Sequence, residues 1–273
     1  MIKTRTFEIA PAGEAPTNIA VHMCGTGPLA LLIHGFPLDH RMWLDVMNGP
    51  LAARRTLCAI DLRGHGQSSG QPSSAEANEA FTMERLADDV AAVIKQLSSD
   101  PIDVCGLSMG GYVAFALHAR QANLVRSLVL TNTRAAADTD AQRAGRDAGI
   151  EMATKQGSSA VADAMLPKLL GNSATAEHQS RIREMIEQVP VATIVADQRG
   201  LQQRPDRRPE LPHFQTPTMV LVGDQDIITP QAEAEQMAAA IPSAQLSVIT
   251  GTGHMSPLED ALQWSTAVAN LWQ

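Results

Sequence analysis

The chain has 273 residues, of which 44% are hydrophobic. This length is enough for one large α/β domain with an insertion but short for two full domains. Its formal net charge of −8 argues against nucleic acid or an anionic membrane as a partner, and its aromatic content of 3% argues against a binding surface of stacked rings.

Residues 1–6 lead into alternating, strand-like sequence, and no apolar signal-peptide core follows them. The longest apolar stretch, residues 29–33, is far short of a membrane span. Cys24, Cys58 and Cys105 are widely spaced, without C-x-x-C pairs. They predict buried free thiols and a cytoplasmic location.

Strand and helix signals alternate along most of the chain. Short, continuously apolar runs of the kind that form strands covered on both faces occur at residues 30–33, 56–60, 102–105, 127–130, 218–222 and 245–249. Between them, residues 86, 90, 93, 94 and 97 form one helical apolar stripe. The pattern predicts the α/β class, with a mostly parallel sheet and helices on both faces.

The segment Gly106-Leu107-Ser108-Met109-Gly110 joins a predicted strand to a predicted helix over residues 109–120. A G-x-S-x-G sequence in this strand–turn–helix context is typical of a nucleophile elbow, a sharp turn that exposes the serine hydroxyl. The two glycines stand where a side chain would collide as the backbone reverses. Ser108 is therefore the candidate nucleophile.

From about residue 135 the alternation stops, and the sequence is helical and strand-free to about residue 203, with predicted breaks at Gly157, Pro167, Gly171 and Pro190. Alternation resumes after Pro217. We therefore predict a core domain of residues 1–134 and 213–273, and a helical cap of residues 135–212 that covers the serine and shapes the substrate pocket.

A serine hydroxyl needs a base, and among eight histidines His254 stands alone in a glycine-flanked loop between a predicted strand and the last helix. That helix is predicted to begin with a capping box at Ser256 and Glu259. The acid is expected on the loop after the strand at 218–222, where Asp224 and Asp226 compete. We favour Asp226, nearer the loop centre, and expect Asp224 to brace the turn.

Acyl transfer also needs an oxyanion hole. The backbone N–H of Met109, at the start of its helix, and that of Phe36, in the loop after the third strand, are the candidate donors. Pro37 has no N–H to offer.

Five segments in this order resemble the α/β-hydrolase fold family over nearly the whole chain. They are His34-Gly35-Phe36-Pro37 with Trp43, residues 61–68, residues 106–111, residues 223–230, and Gly253-His254. The resemblance implies an eight-stranded, mostly parallel twisted sheet and a Ser108–Asp226–His254 triad. It also implies an acyl-enzyme mechanism with no cofactor and no metal, and a structural role for Arg63 and His65.

Residues 106–111, together with Asn132-Thr133, are similar to the branch of 3-oxoadipate enol-lactonases and carboxylesterases. The lactonases are expected to carry a tryptophan in the cap, whereas Trp43, Trp264 and Trp272 lie outside it. Haloalkane dehalogenases and epoxide hydrolases use an aspartate at the elbow, which Ser108 excludes.

The sequence thus predicts a carboxylic ester hydrolase, with lactonase activity as a variant, acting on a small-molecule ester or lactone as a monomer or homodimer. Phe36, Trp43 and Met109, with Met152 and Met165 of the cap, are candidates for an apolar pocket. Three alternatives stay open: C–C bond hydrolysis, cofactor-free perhydrolysis of the haloperoxidase kind, and a non-catalytic ligand receptor.

Overall fold

The computed structural model describes residues 1–10, 16–75 and 78–272. The strands are β1 (Lys3–Ile9), β2 (Thr17–Gly25), β3 (Leu29–Ile33), β4 (Thr56–Ile60), β5 (Ile102–Leu107), β6 (Val125–Thr131), β7 (Thr218–Gly223) and β8 (Gln245–Ile249). They form one sheet of eight strands in the order β1-β2-β4-β3-β5-β6-β7-β8. Strand β2 is antiparallel to both β1 and β4, and the other pairs are parallel. The predicted fold class is confirmed.

Helices cover both faces of this sheet. They are α1 (Leu44–Met47), α2 (Met83–Leu97), α3 (Met109–Gln121), α4 (Asp140–Leu169), α5 (Ala176–Gln188), α6 (Val191–Gln203), α7 (Gln231–Ala240), α8 (Ser256–Glu259) and α9 (Ala261–Val268). Four short 3-10 turns lie at His40–Trp43, Pro50–Ala53, Ala122–Leu124 and Arg208–His213. In β3, Leu31 and Ile33 face the core under α2 and α3, whereas Leu32 faces the core on the other side. Continuous hydrophobicity therefore marks a strand buried on both faces. In the part of the chain that the structure describes, no helix combines the length and apolar character that crossing a membrane requires.

Helices α4, α5 and α6 follow one another between β6 and β7, where every residue is described and none forms a strand. Helix α4 begins with a capping box between Thr139 and Gln142 and is kinked at Gly157, whose φ is 81°. The break predicted at Pro167 is wrong, because α4 continues to Leu169. Pro167 lacks the N–H that would bond to a carbonyl four residues earlier, and the last turn of α4 forms without that hydrogen bond. The division into core and cap domains stays a prediction.

The capping box predicted for the C-terminal helix is also wrong. Ser256 is the first residue of α8 rather than its N-cap, and Met255 occupies that position. The Ser256 hydroxyl donates to Asn132 Oδ1 at 2.5 Å, and the Glu259 carboxylate accepts from the backbone N–H of Gly171 at 2.7 Å. The Ser256 side chain therefore makes a tertiary contact, and the Glu259 side chain combines one with a local bond of 3.3 Å from the backbone N–H of Met255. Sequence spacing alone does not reveal the tertiary contacts.

Candidate active site

Ser108 lies on the turn between β5 and α3 with φ 53° and ψ −112°, a backbone conformation that is unusual for a residue other than glycine. A Cβ atom at Gly106 would overlap the carbonyl of Gly110, and one at Gly110 would overlap the carbonyl of Ile33. The two glycines therefore permit the tight approach of helix to sheet that fixes the serine at the carboxyl edge of the strands.

His254 and Asp226 meet at the same edge of the sheet. Asp226 follows β7, His254 follows β8, and His254 Nδ1 lies 2.8 Å from Asp226 Oδ2. Both residues are buried. The backbone N–H of His254 donates to the carbonyl of Leu169, at the end of α4, at 2.9 Å. The loop that carries the histidine is thus anchored to the helical segment after β6.

The Asp226 carboxylate is surrounded by hydrogen-bond donors. It accepts from the backbone N–H groups of Ile228 and Thr229 at 2.8 and 2.9 Å, from the Thr229 hydroxyl at 2.6 Å and from Asn132 Nδ2 at 2.9 Å. Burial raises the pKa of Asp226, but His254, Asn132 and Thr229 outweigh that effect and lower the pKa to about 2. The carboxylate is therefore ionised at neutral pH and holds the imidazole in one orientation.

Asn132 belongs to this network, although the sequence interpretation used it only to place the chain within the family. Its φ is 45°, and its Nδ2 also donates to the carbonyl of Gly253 at 3.1 Å. It therefore joins the loop of Asp226 to the loop of His254. The available signal was its place directly after a buried parallel strand, where polar groups of an active site collect. Asp224, by contrast, is exposed and accepts from the backbone N–H of Gly251 at 2.8 Å.

Ser108 and His254 line one cavity of about 70 Å³. Its other lining residues are Phe36, Met109, Tyr112, Arg134, Arg146, Met165, Leu169, Leu201 and Ile228. The two candidate oxyanion donors, Phe36 and Met109, thus lie beside the serine. Met109 is the first residue of α3, and the N–H groups of a first helical turn have no partner within their own helix.

The predicted pocket residues fall in three different places. Met165 lines the serine cavity, whereas Met152 lines an adjacent cavity of about 210 Å³ that shares Met165 and Ile228 with it. Trp43 lines neither: it is fully buried in the core, with its ring centroid 5.5 Å from that of Trp264. Trp43 was predicted to line the pocket because it is a large ring close in sequence to His34-Gly35-Phe36-Pro37. Its ring instead packs in the core against Trp264 of α9.

Arg134, Arg146 and Tyr112 reach the cavity without having been predicted. Arg134 follows Asn132-Thr133 after β6, and Arg146 lies on the second turn of α4. The sequence carried a positional signal for Arg134 alone, because it stands three residues after the end of β6 at the site.

A second polar cluster lies near the loop after β4. Asp61 accepts from His22 Nε2 at 3.0 Å and contacts His40 Nδ1 at 2.9 Å, and the two imidazole rings are stacked. Ligand atoms of these three residues lie within 4.8 Å of one another, so they have the chemistry to hold a metal ion. The two imidazoles are hydrogen-bond partners of the Asp61 carboxylate. Burial raises the pKa of Asp61, but His22 and His40 outweigh that effect and hold the pKa well below its usual range.

The neighbouring Arg63 and His65 each contact a buried carboxylate. Arg63 binds Asp89 through two hydrogen bonds of 2.8 and 2.7 Å, and His65 Nε2 lies 3.0 Å from Asp197 Oδ2 on α6.

Comparisons with known proteins agree with this architecture. The sequence model of the alpha/beta hydrolase fold matches residues 28–261. The structure is similar to that of a thermophilic esterase from Thermogutta terrifontis with malate bound, with a TM-score of 0.91, 34% identity and 98% of each chain covered. It is also similar to the enol-lactonase of Burkholderia xenovorans LB400, with a TM-score of 0.82, 26% identity, and 97% of this chain and 99% of that one covered. A pimeloyl-[acyl-carrier protein] methyl ester esterase from Nitrosomonas europaea is 27% identical over 248 residues, which cover 87% of this chain and 92% of that protein.

Proposed function

Because the chain belongs to the α/β-hydrolase fold family, a hydrolase family that includes esterases and lactonases, we propose that it is a carboxylic ester hydrolase acting through Ser108, His254 and Asp226. One observation supports this most strongly. His254, joined to the buried Asp226 at 2.8 Å, lines the same cavity as a serine held on a strained strand-to-helix turn.

In the proposed reaction His254 takes the proton of the Ser108 hydroxyl while its oxygen attacks the ester carbonyl carbon. Protonated His254 then gives that proton to the leaving alkoxide, and the acyl group stays on Ser108. His254 next removes a proton from water, whose oxygen attacks the acyl-enzyme and releases the acid. Asp226, ionised throughout, stabilises the protonated imidazole.

The developing oxyanion would be held by the backbone N–H groups of Phe36 and Met109. Both residues line the cavity with the serine, and the N–H of Met109 stands at the positive end of α3. One such donor typically contributes about 3–4 kcal/mol of transition-state stabilisation in acyl transfer.

The relatives support an ester as the first substrate class and a lactone as the second. Two of them are named as esterases and one as an enol-lactonase. We further propose a small-molecule substrate and a cytoplasmic location, which the three free cysteines favour. Burial raises the pKa of the Cys58 thiol to about 12, so it stays protonated.

The test is hydrolysis of short p-nitrophenyl esters, aryl esters and lactones by the wild type and by Ser108→Ala, with Ser98→Ala as a control at a partly exposed serine at the end of α2. Loss of a triad serine lowers kcat by about 10⁶-fold in serine hydrolases, so Ser108→Ala is expected to be inactive and Ser98→Ala fully active. Equal rates for wild type and Ser108→Ala would exclude the serine mechanism. Tight binding without turnover by the wild type would instead indicate a ligand receptor. The same variants assayed with a ring-fission diketone and with hydrogen peroxide test C–C hydrolysis and perhydrolysis.

A further inference from the structure

The cavity at Ser108 is asymmetric in charge. Its lining includes Arg134 and Arg146, and no aspartate or glutamate of the described residues is among the residues that line it. The remaining lining is mostly apolar. A guanidinium that is partly buried beside such a lining is costly unless an anion compensates it.

Arg134 is the less neutralised of the two. Its Nε atom is buried without a hydrogen-bond partner, and among the described residues no carboxylate lies within ion-pair distance of its guanidinium. Burial lowers the pKa of Arg134, but the Tyr112 phenol and the carboxylates of Asp138 and Glu233 together raise it by more. The side chain therefore stays cationic with hydrogen-bonding capacity to spare.

Arg146 is held in place by other groups. Its Nε donates to Asp138 Oδ2 at 3.0 Å and its Nη1 to Gln198 Oε1 at 3.2 Å. The other oxygen of Asp138 accepts from Arg204 Nη2 at 2.7 Å. Both oxygens of this buried carboxylate are thus engaged by two arginines, and Arg134 adds a positive charge that Asp138 does not pair.

We propose that the substrate carries a free carboxylate, and that Arg134, with Arg146 beside it, binds that group while Ser108 attacks the ester. This rests on the proposed ester hydrolase function and narrows it to a small half ester of a dicarboxylic acid. A guanidinium fork matches a carboxylate with two parallel hydrogen bonds, and such charge-assisted bonds strengthen where water is excluded. A neutral ester of equal length would leave the Arg134 guanidinium without an anion, so the site discriminates against it.

The experiment compares monoethyl succinate with ethyl pentanoate, an uncharged ester of similar length, by pH-stat titration. We expect the wild type to have a kcat/KM for monoethyl succinate at least about tenfold higher, the minimum discrimination that one charge-assisted contact gives. Equal or reversed values in the wild type overturn the proposal, whatever the variants do.

The variants then assign the effect to Arg134. Arg134→Gln is expected to lower kcat/KM for monoethyl succinate about 10–100-fold, mainly through KM, and to change ethyl pentanoate hydrolysis less than about threefold. Arg134→Lys should restore part of the loss, because it keeps the charge but not the fork. As a control, Arg143→Gln removes an exposed positive charge on α4, one turn before Arg146. It should leave the ratio of the two kcat/KM values, for monoethyl succinate and ethyl pentanoate, unchanged. Equal losses on both esters, or the same shift in Arg143→Gln, would contradict the proposal.

Binding of succinate, measured by calorimetry, separates this proposal from the ester hydrolase function. Succinate should bind to wild type and Ser108→Ala, and at least about tenfold more weakly to Arg134→Gln. If succinate binds in this way but neither ester is hydrolysed, the anion site stands and the proposed function fails. If ethyl pentanoate is hydrolysed through Ser108 but Arg134→Gln binds succinate as the wild type does, the function stands and the anion site fails.

Discussion

Two aspartates two positions apart occupy opposite environments on the loop after β7. Asp226 is buried and accepts hydrogen bonds from two backbone N–H groups and the side chains of Thr229 and Asn132, besides its contact with His254. Asp224 is exposed and accepts from the backbone of Gly251. Substituting each by asparagine changes the same atoms, so the pair isolates what the environment contributes.

Asp226→Asn is expected to lower kcat by about 10⁴-fold, because an amide that donates to Nδ1 favours the wrong imidazole tautomer. Asp224→Asn should lower kcat less than about threefold, since an amide oxygen can still accept from the backbone and the group is remote from the imidazole. Steady-state kinetics on one p-nitrophenyl ester measures both. A larger loss in Asp224→Asn would move the acid to position 224.

At this scale the sequence was informative wherever a motif fixes both residue type and place. The turn at Ser108 requires its glycines, and the loops of Asp226 and His254 follow predicted strands, so all three could be named as candidates before any distance was known. Arg146 could not, because a charged residue on a helix has no motif that says which face meets the cavity. Trp43 was wrongly predicted to line the pocket, because no motif distinguishes a buried core ring from a pocket ring at that position.

At the scale of one element, α4 contains two glycines with open space around them but different backbones. A Cβ atom at Gly145 or at Gly157 would meet no atom within 4 Å. Gly157 has φ 81° and kinks the helix, whereas Gly145 lies in the regular stretch before it. Alanine at the two positions therefore differs in backbone cost and hardly at all in packing.

Gly145→Ala is expected to stabilise the protein by about 0.5–1 kcal/mol, because glycine costs that much in a helix interior. Gly157→Ala should destabilise it by about 1–2 kcal/mol, the cost of a left-handed conformation for a residue with a Cβ. Urea unfolding of the two variants measures both. Two shifts of the same sign would mean that the kink does not govern the stability of α4.

The order of elements was predictable because buried parallel strands are continuous apolar runs, and six of the eight were placed within two residues of their observed ends. Strands β1 and β2 contain polar residues and no long apolar run, so they gave a weaker signal. The prediction of a helix end was wrong where the side chains have distant partners. Ser256 and Glu259 have the spacing of a local cap, yet they bind Asn132 and Gly171.

At the scale of the whole molecule, a buried pair joins α6 to the loop after β4. His65 Nε2 and Asp197 Oδ2 lie 3.0 Å apart, and both side chains are fully buried. Burial acts to lower the pKa of His65, but Asp197 outweighs it and the pKa is raised. Beside them the Thr193 hydroxyl donates to the carbonyl of Gly64 at 3.2 Å. These contacts tie the helical segment after β6 to the sheet.

Either His65→Gln or Asp197→Asn should lower the free energy of unfolding by about 3–5 kcal/mol, because each leaves a buried polar partner uncompensated. The double variant should cost less than the sum of the two, since both charges are then gone. Lys155→Met, which breaks an exposed pair with Glu151 on α4, is the control and should change little. Strict additivity in urea unfolding would show that His65 and Asp197 do not act as a pair.

Met165 borders both the cavity of Ser108 and the larger one beside it, whereas Met152 borders the larger one alone. Met165→Ala is therefore expected to merge the two spaces and extend the range of accepted acyl chains, by about fourfold in kcat/KM per added methylene on a p-nitrophenyl ester series. Met152→Ala should leave the profile unchanged, and identical profiles for the two variants would contradict the expectation. The upper limit on substrate length would then be set by the Met165 side chain rather than by the backbone. Methionine is unbranched and flexible, so this side chain can change its rotamer. One rotamer change could retune the enzyme for a different chain length while every strand stays in place.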